Sequence, residues 1–374
     1  MTSSSDLDRG VERLFRPELA ALEAYSPILP LEVLSEQAAI PAEGIIKLDG
    51  NENPYGCSPR VRRALEAYPF YHVYPDPEQR ELRKAVGAYC GLGADHIVMG
   101  SGSDELIDLI LRLFLEPGDK VINCTPTFGM YPFSTEVCGG RVVDVPRDQS
   151  YGVDIDGVKA ALDKRAKIAF LASPNNPTGN ITPQSHIREL VDAGVVVVVD
   201  EAYYEFSGVT VAPLVADYDN LIVLRSFSKW AGLAGLRAGY GIFPPQIARH
   251  LTKIKPPYNV NVAAQVAVKA SLADIARLQG TLRAMIAERE RLFSRLSELG
   301  FLKPYPSQAN FILCSVVDGE AQRLHRRLQQ VGIFVRYFDT PLLRNSLRIS
   351  VGRPEHTDAL IEALQRIGGK GSGH

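Results

Sequence analysis

RSFSKWAGLAGLRAGYG, residues 225–241, places a single lysine, Lys229, just after Ser226 and Ser228 and eight residues before Arg237. Between the two cations the chain is mostly Gly and Ala, which lets backbone pass close to something bulky. The run LIVLRSF reads as a strand, and AGYGIF reads as another. Lys229 and its serines therefore fall at the C-terminal end of a strand. A lysine there is either a solvated cation or an amine reserved for chemistry. Arg237, a rigid fork of donors, suits a phosphate or a carboxylate.

The same alternation extends outward from this stretch. From 97 to about 243, HIVMG is followed by DELIDLILRLFL, KVINC, GRVVDV, DGVKAALD, KIAFLAS, HIRELVDA and VVVVVD. Strands alternating with helices predict an α/β sheet, mostly parallel and covered by helices. A helical zone at about 262–299 comes next. NFILCSV, a helix at 319–331, GIFVRYF, SLRISVG and a last helix at 355–367 then predict a smaller α/β domain at the C-terminal end. Residues 1–44 read as an arm in which a helical pattern, VERLFRPELAALEAY, gives way to the Pro-containing YSPILPLE. The expected division is an arm at 1–44, a large domain at 45–265, a connecting helical region at 266–299 and a small domain at 300–374.

Composition excludes several function classes. A chain of 374 residues exceeds one ordinary core and suits two domains. Net charge is −2, so there is no nucleic-acid footprint and no polybasic membrane patch. The longest apolar run, VVVVV at 195–199, is far short of the roughly 20 residues of a membrane span. MTSSSDLDRGVERLF lacks a basic region followed by an apolar stretch, so it does not read as a secretory signal. The five cysteines are scattered and contain no C-x-x-C pair. That argues for a reducing cytoplasm and against a disulfide framework or a metal site. The tail GGKGSGH at 368–374 reads as an unstructured end or an appended remnant.

Three further stretches fall at strand ends. GSGSDE at 100–105 opens a helix, where unpaired backbone N–H groups bind phosphate. Its other reading is an ordinary cap, with Ser103 or Asp104 closing the helix start. SPNNPTG at 173–179 is a loop beyond the carboxyl edge of the sheet, where open α/β folds bind ligands, or else a plain turn. VVVVVDEAYYEF at 195–206 ends a wholly apolar strand in Asp200 and Glu201, followed by Tyr203. A carboxylate buried there needs a cation or strong donors, unless it only caps the next turn.

Together these stretches ask for one ligand, pyridoxal phosphate (PLP). Its aldehyde needs a lysine, and its ring nitrogen needs a carboxylate to stay protonated. Its phosphate needs N–H groups, hydroxyls and an arginine. Its ring needs an aromatic face, which Phe128 in CTPTFGMY can supply.

On these residues the chain resembles the fold-type I PLP-dependent aminotransferases and, within them, the histidinol-phosphate aminotransferases. The matching segments include LDGNENPYG (48–56), VYPDP (73–77), GSGSDELI (100–107), SPNNPTG (173–179), KPPYNVN (255–261), PSQANFIL (306–313), GIFVR (332–336) and LRISVGRPEH (347–356), in addition to the opening stretch. The resemblance implies that Lys229 joins the PLP aldehyde covalently and later shuttles the substrate's proton. It implies that Asp200 pairs with the ring nitrogen, and that Asn176 and Tyr203 bond the ring hydroxyl oxygen. Phe128 would stack on the ring. Ser103, Asp104, Ser226, Ser228 and Arg237 would hold the phosphate. Tyr74 would reach the PLP phosphate of a neighbouring subunit, which requires a homodimer with shared active sites. Arg348 would grip the α-carboxylate. Tyr25 and Arg336 would hold a substrate phosphate, with Tyr258 lining that pocket from the partner.

The implied reaction is transamination between L-histidinol phosphate and 2-oxoglutarate in histidine biosynthesis. An aromatic or broad-range aminotransferase, a threonine-phosphate decarboxylase and a non-catalytic regulator on the same fold are the competing readings. Two departures bear on the choice. Ile28 stands in YSPI where the family pattern usually has Gly, which could change how the arm folds over the site. Trp230 follows the lysine where a smaller residue is common, either narrowing the site or packing against the small domain.

Overall fold

The computed structural model describes residues 11–317 and 319–368. The first ten residues of the expected arm, and the tail from 369, lie outside the described residues. Among the described residues twelve strands form two sheets. They are β1 (Ile46–Leu48), β2 (Ile97–Ser101), β3 (Lys120–Thr125), β4 (Arg141–Pro146), β5 (Ala166–Ala172), β6 (Val196–Asp200), β7 (Leu221–Ser226), β8 (Ala238–Ile242), β9 (Leu302–Pro304), β10 (Phe311–Val316), β11 (Ile333–Tyr337) and β12 (Ser346–Ser350).

The larger sheet runs β2-β8-β7-β6-β5-β3-β4. Its strands are parallel except β8, which is antiparallel to both neighbours. Such a sheet is buried on both faces, so its strands need no polar alternation. In β6, Val197 and Val199 enter one core while Val198 enters the other. The helix Ser103–Phe114 covers the second face with Leu106, Ile107 and Ile110. The helices Arg80–Cys90 and Val262–Leu272 cover the first with Leu82, Val86 and Val268.

The smaller sheet runs β1-β11-β12-β10-β9. Its first strand is a correction to the sequence reading. Ile46–Leu48 was assigned with the larger unit, but it pairs in parallel with Ile333–Val335. Three residues are too short to carry a pattern of their own, and only the partner strand decides where they belong. The 23-residue helix Ile275–Ser297 links the two cores, with Leu278 and Met285 in one and Leu292 and Leu296 in the other. The expected continuous helical zone breaks at Ala273 and Asp274, where the Asp274 carboxylate meets the Ser58 hydroxyl.

The arm also differs from its pattern. Among the arm's described residues, the pattern VERLFRPELAALEAY gives a short 3-10 turn at Val11–Leu14 and one helical turn at Pro17–Ala20, and a longer helix, Leu31–Ala38, begins inside the Pro-containing YSPILPLE. Proline opens a helix more readily than it continues one, so Pro17 and Pro30 mark starts.

Candidate active site

The C-terminal ends of β3, β5, β6 and β7 open into one cavity of about 980 Å³. Tyr25, Ser103, Asp104, Phe128, Asn176, Asp200, Tyr203, Ser226, Ser228, Lys229, Arg237, Arg336 and Arg348 all line it. Tyr74 and Tyr258 do not. They stack on each other at the surface, ring centroids 4.4 Å apart, with Tyr74 77% exposed.

Asp200 sits at the last position of β6, and strand alternation turns it and Glu201 to opposite faces. Asp200 accepts from the Tyr131 hydroxyl at 2.8 Å and from the Ala202 N–H at 3.0 Å. Burial pushes its carboxyl up to about 6, against the lowering effect of those two donors. Tyr131 is itself buried and stacked on Phe170 at 4.7 Å. Burial and the nearby Asp200 charge hold its hydroxyl well above the usual range, so it stays a donor. A carboxylate at this depth, held by two neutral donors, is suited to a protonated ring nitrogen. Glu201, on the other face, is fully engaged by Arg225 at 2.9 Å, by the Thr210 hydroxyl and by the Val211 N–H.

Lys229 Nζ donates to the Gly50 carbonyl at 3.0 Å. Its amine is pushed down to about 8, first by burial and next by the charge of Arg348. A lysine in that range has an appreciable neutral fraction near neutral pH, as a nucleophile or proton carrier requires.

Arg237 occupies the left-handed region at φ 53 and donates to the Asp104 carboxylate at 2.6 Å. Gly102, not Ser103 or Asp104, is the N-cap of the helix Ser103–Phe114, and no side chain caps it. Ser226 Oγ accepts from the Ser228 N–H at 3.0 Å, which turns the chain back toward Lys229. Two glycines of the opening stretch make this corner possible. A β-carbon on Gly239 would stand 2.4 Å from the Ser103 nitrogen, and one on Gly232 would stand 2.4 Å from the Gly56 carbonyl oxygen. The small residues thus clear the way for the chain's own backbone, where the sequence had suggested a bulky ligand.

The two asparagines of SPNNPTG divide the work. Asn175 is fully buried and ties the loop to Pro126, Thr127 and Thr178. Asn176 faces the cavity and accepts from Arg348 at 2.6 Å. Arg348 also donates to the Asp49 carbonyl, while its Nε has no partner. Tyr203 accepts from Asn51 Nδ2 at 2.9 Å. The donor set fits PLP: a lysine, a buried carboxylate, an aromatic flank in Phe128 and a corner of hydroxyls with an arginine.

The family of class I and II aminotransferases matches residues 43–364. This chain belongs to it. It is 48% identical to a histidinol-phosphate aminotransferase of Dehalococcoides mccartyi over 96% of this chain and 99% of that one. It is also 48% identical to the chloroplastic histidinol-phosphate aminotransferase 1 of Arabidopsis thaliana, over 95% of this chain and 86% of that one. The histidinol-phosphate aminotransferase of Sinorhizobium meliloti, solved in complex with pyridoxal-5'-phosphate, superposes with a TM-score of 0.87 at 29% identity, covering 95% of this chain and 98% of that one.

Three features of this aminotransferase were not assigned from sequence, and a fourth differs from its reading. Tyr131 ends the quoted CTPTFGMY, where it had no role. Asn51 lay inside LDGNENPYG, yet it joins Tyr203, Ser350 and Asn310 across sequence separations of more than 150 residues. Gly50 is defined as a lysine partner only by its carbonyl. Trp230, read as narrowing the site or packing against the small domain, does not line the aminotransferase's cavity. It is 2% exposed, in the larger core, stacked on Tyr89 at 5.7 Å and packed against Phe227. Past the end of β7 the chain bends, and Lys229 lines the cavity while its neighbour enters the core.

Proposed function

We propose that this chain catalyses transamination between L-histidinol phosphate and 2-oxoglutarate in histidine biosynthesis, with PLP as its resident cofactor. The observation that carries this reading is the set of three arginines in one cavity. Arg237 faces the cofactor-phosphate corner, which leaves Arg348 and Arg336 for a substrate. The identity to histidinol-phosphate aminotransferases supports the same choice of substrate.

PLP, when bound, supplies an electron sink for the negative charge that develops at the substrate α-carbon. Asp200 keeps the cofactor's ring nitrogen protonated, and Tyr131 keeps Asp200 oriented. Lys229 Nζ takes the proton from the substrate α-carbon and delivers it onward. Ser103, Asp104, Ser226, Ser228 and Arg237 hold the cofactor phosphate, Asn176 and Tyr203 hold the ring oxygen, and Phe128 covers one face. Arg348 binds the α-carboxylate of glutamate or 2-oxoglutarate. Tyr25 and Arg336 bind the phosphate of histidinol phosphate.

The active unit in this proposal is a homodimer in the cytoplasm. The exposed aromatic and apolar side chains of Phe70, Tyr71, Val73, Tyr74 and Tyr258 support a second copy covering this face, which brings Tyr74 and Tyr258 to the partner's cavity. Five free cysteines support a reducing compartment. A substrate panel tests the reading. Purified protein with PLP should consume 2-oxoglutarate with a kcat/KM for L-histidinol phosphate well above that for L-phenylalanine. A larger kcat/KM for phenylalanine, or CO2 release from threonine phosphate, would overturn it.

A further inference from the structure

Ile28 lies in the irregular stretch of the arm between Tyr25 and the helix Leu31–Ala38, and its side chain lines the cavity. Its Cδ1 stands 2.7 Å from the place a β-carbon on Gly50 would occupy, so it rests directly on the Gly50 α-carbon. Gly50 is the residue whose carbonyl holds Lys229 Nζ. The branched side chain therefore roofs the spot where the reactive amine is parked.

The arm is pinned on both sides of this roof. Arg336 donates to the Ser26 carbonyl at 2.8 Å, from β11 of the smaller sheet. Tyr25 packs edge-on against Phe133 at 6.4 Å, on the side of the larger sheet, and its ring approaches Gly129. With its anchors set, the arm cannot slide to relieve a crowded ring beneath Ile28. Pro27 and Pro30 flank the segment and restrict its backbone further.

We infer that Ile28 is a specificity-determining residue, an apolar wall that limits the size of the ring carried by the amino donor. The inference rests on the reading of the protein given above. The amine of the donor must reach Lys229, and its phosphate must reach Tyr25 and Arg336. The donor's ring branches, through one methylene, from the carbon that bears the amine, and Ile28 roofs the amine's site beside Gly50, so the ring meets Ile28 there. A five-membered imidazole leaves room that a six-membered phenyl ring does not. An apolar wall discriminates by steric fit, and a change of one or a few methylene groups at such a wall shifts kcat/KM ratios by about 10-fold or more.

The test compares wild-type holoenzyme with Ile28→Ala, Ile28→Val and Ile28→Leu, using L-histidinol phosphate and L-phenylalanine as donors. Ile28→Ala should raise the ratio of kcat/KM for phenylalanine to that for histidinol phosphate by about 10-fold. Ile28→Leu, which keeps the volume, should leave the ratio within about 3-fold of wild type, and Ile28→Val should fall between. A residue that only keeps the arm folded would lower both donors together. An unchanged ratio in Ile28→Ala, with wild type active on histidinol phosphate, overturns the inference alone. Wild type inactive on histidinol phosphate overturns the proposed function and this inference with it.

Discussion

The Tyr131 hydroxyl donates to Asp200 Oδ2 at 2.8 Å from a fully buried ring, and with the Ala202 N–H it opposes the burial that raises this carboxyl to about 6. Burial alone disfavours the charged form, and the hydroxyl restores part of what water would have given. The bond couples an aromatic core residue to the charge that the cofactor's ring nitrogen would meet.

A pH effect on stability follows from that coupling. Asp200 is raised to about 6 in the folded protein from the usual 3.8. The folded chain therefore holds this proton more tightly than the unfolded chain. Its stabilising contribution is present below about pH 4 and is lost as pH rises through about 6, on the order of 3 kcal/mol in all. Thermal unfolding of cofactor-free protein checks this. Between pH 4 and 7, wild type should lose stability relative to Asp200→Asn. Tyr131→Phe removes a lowering donor, so it should extend the loss to higher pH and cost the holoenzyme roughly 10-fold in kcat. Parallel wild-type and Asp200→Asn curves would show that Asp200 carries no raised proton affinity.

Lys229 should set the pH dependence of cofactor capture. Its amine is pushed down to about 8 by burial and by Arg348, and only the neutral amine attacks an aldehyde. The rate at which cofactor-free protein captures PLP should rise with pH and level off above about 8. Arg348→Gln removes a neighbouring positive charge and should move the midpoint upward. Lys229→Ala should lower turnover by at least about 10³-fold while PLP still binds without a covalent link. Stopped-flow absorbance and mass spectrometry read the two effects, and residual transamination near wild type would remove Lys229 from the mechanism.

Arg336 should separate phosphorylated from unphosphorylated donors. Arg336→Ala loses a charge-assisted contact of about 2 kcal/mol, or roughly 30-fold in kcat/KM for histidinol phosphate. Phenylalanine should lose several-fold at most, through the freed Ser26 carbonyl and a looser arm. Equal losses for both donors place Arg336 outside the substrate-phosphate site.

The Arg225–Glu201 pair should matter for stability and not for the chemistry. Both side chains are about 3% exposed or less, and Arg225 also lies over the Tyr204 ring at 3.6 Å. Glu201→Gln leaves a buried cation without its counter-charge and should destabilise by about 3–5 kcal/mol. Urea unfolding should show a lower midpoint, while the ratio of kcat/KM values for the two donors stays at the wild-type value. A shift in that ratio would mean that the pair reaches the cavity.

Much of the larger sheet was readable because its strands are buried on both faces. Runs such as KIAFLA and VVVVVD need no partner to identify them, and polar residues at their ends stand out against the apolar interior. The residues lining the cavity were readable for the same reason, since Lys229, Asp200 and Asn176 each follow such a run. β1 was not readable, because three residues carry no periodicity and Ile46–Leu48 takes its place from β11. The arm's helical pattern fails over most of its length because residues 11–25 bury no side chain, and a helix that short has little stability without packing. Trp230 was misjudged because its sequence neighbour Lys229 faces the cavity, while the ring itself is claimed by Tyr89 and Phe227 from the core.

The amino-acid sequence by itself determined the layered α/β architecture and the set of groups that a PLP enzyme needs, because periodicity and residue chemistry are local properties. Tertiary structure alone decided how those groups are held. Tyr131 reaches Asp200 across 69 positions, Asn51 reaches Tyr203 across 152, and Gly50 receives Lys229 across 179. Contacts at such separations exist only once two sheets and an arm have packed, and packing is where a hydroxyl, an amide or a bare glycine acquires its partner.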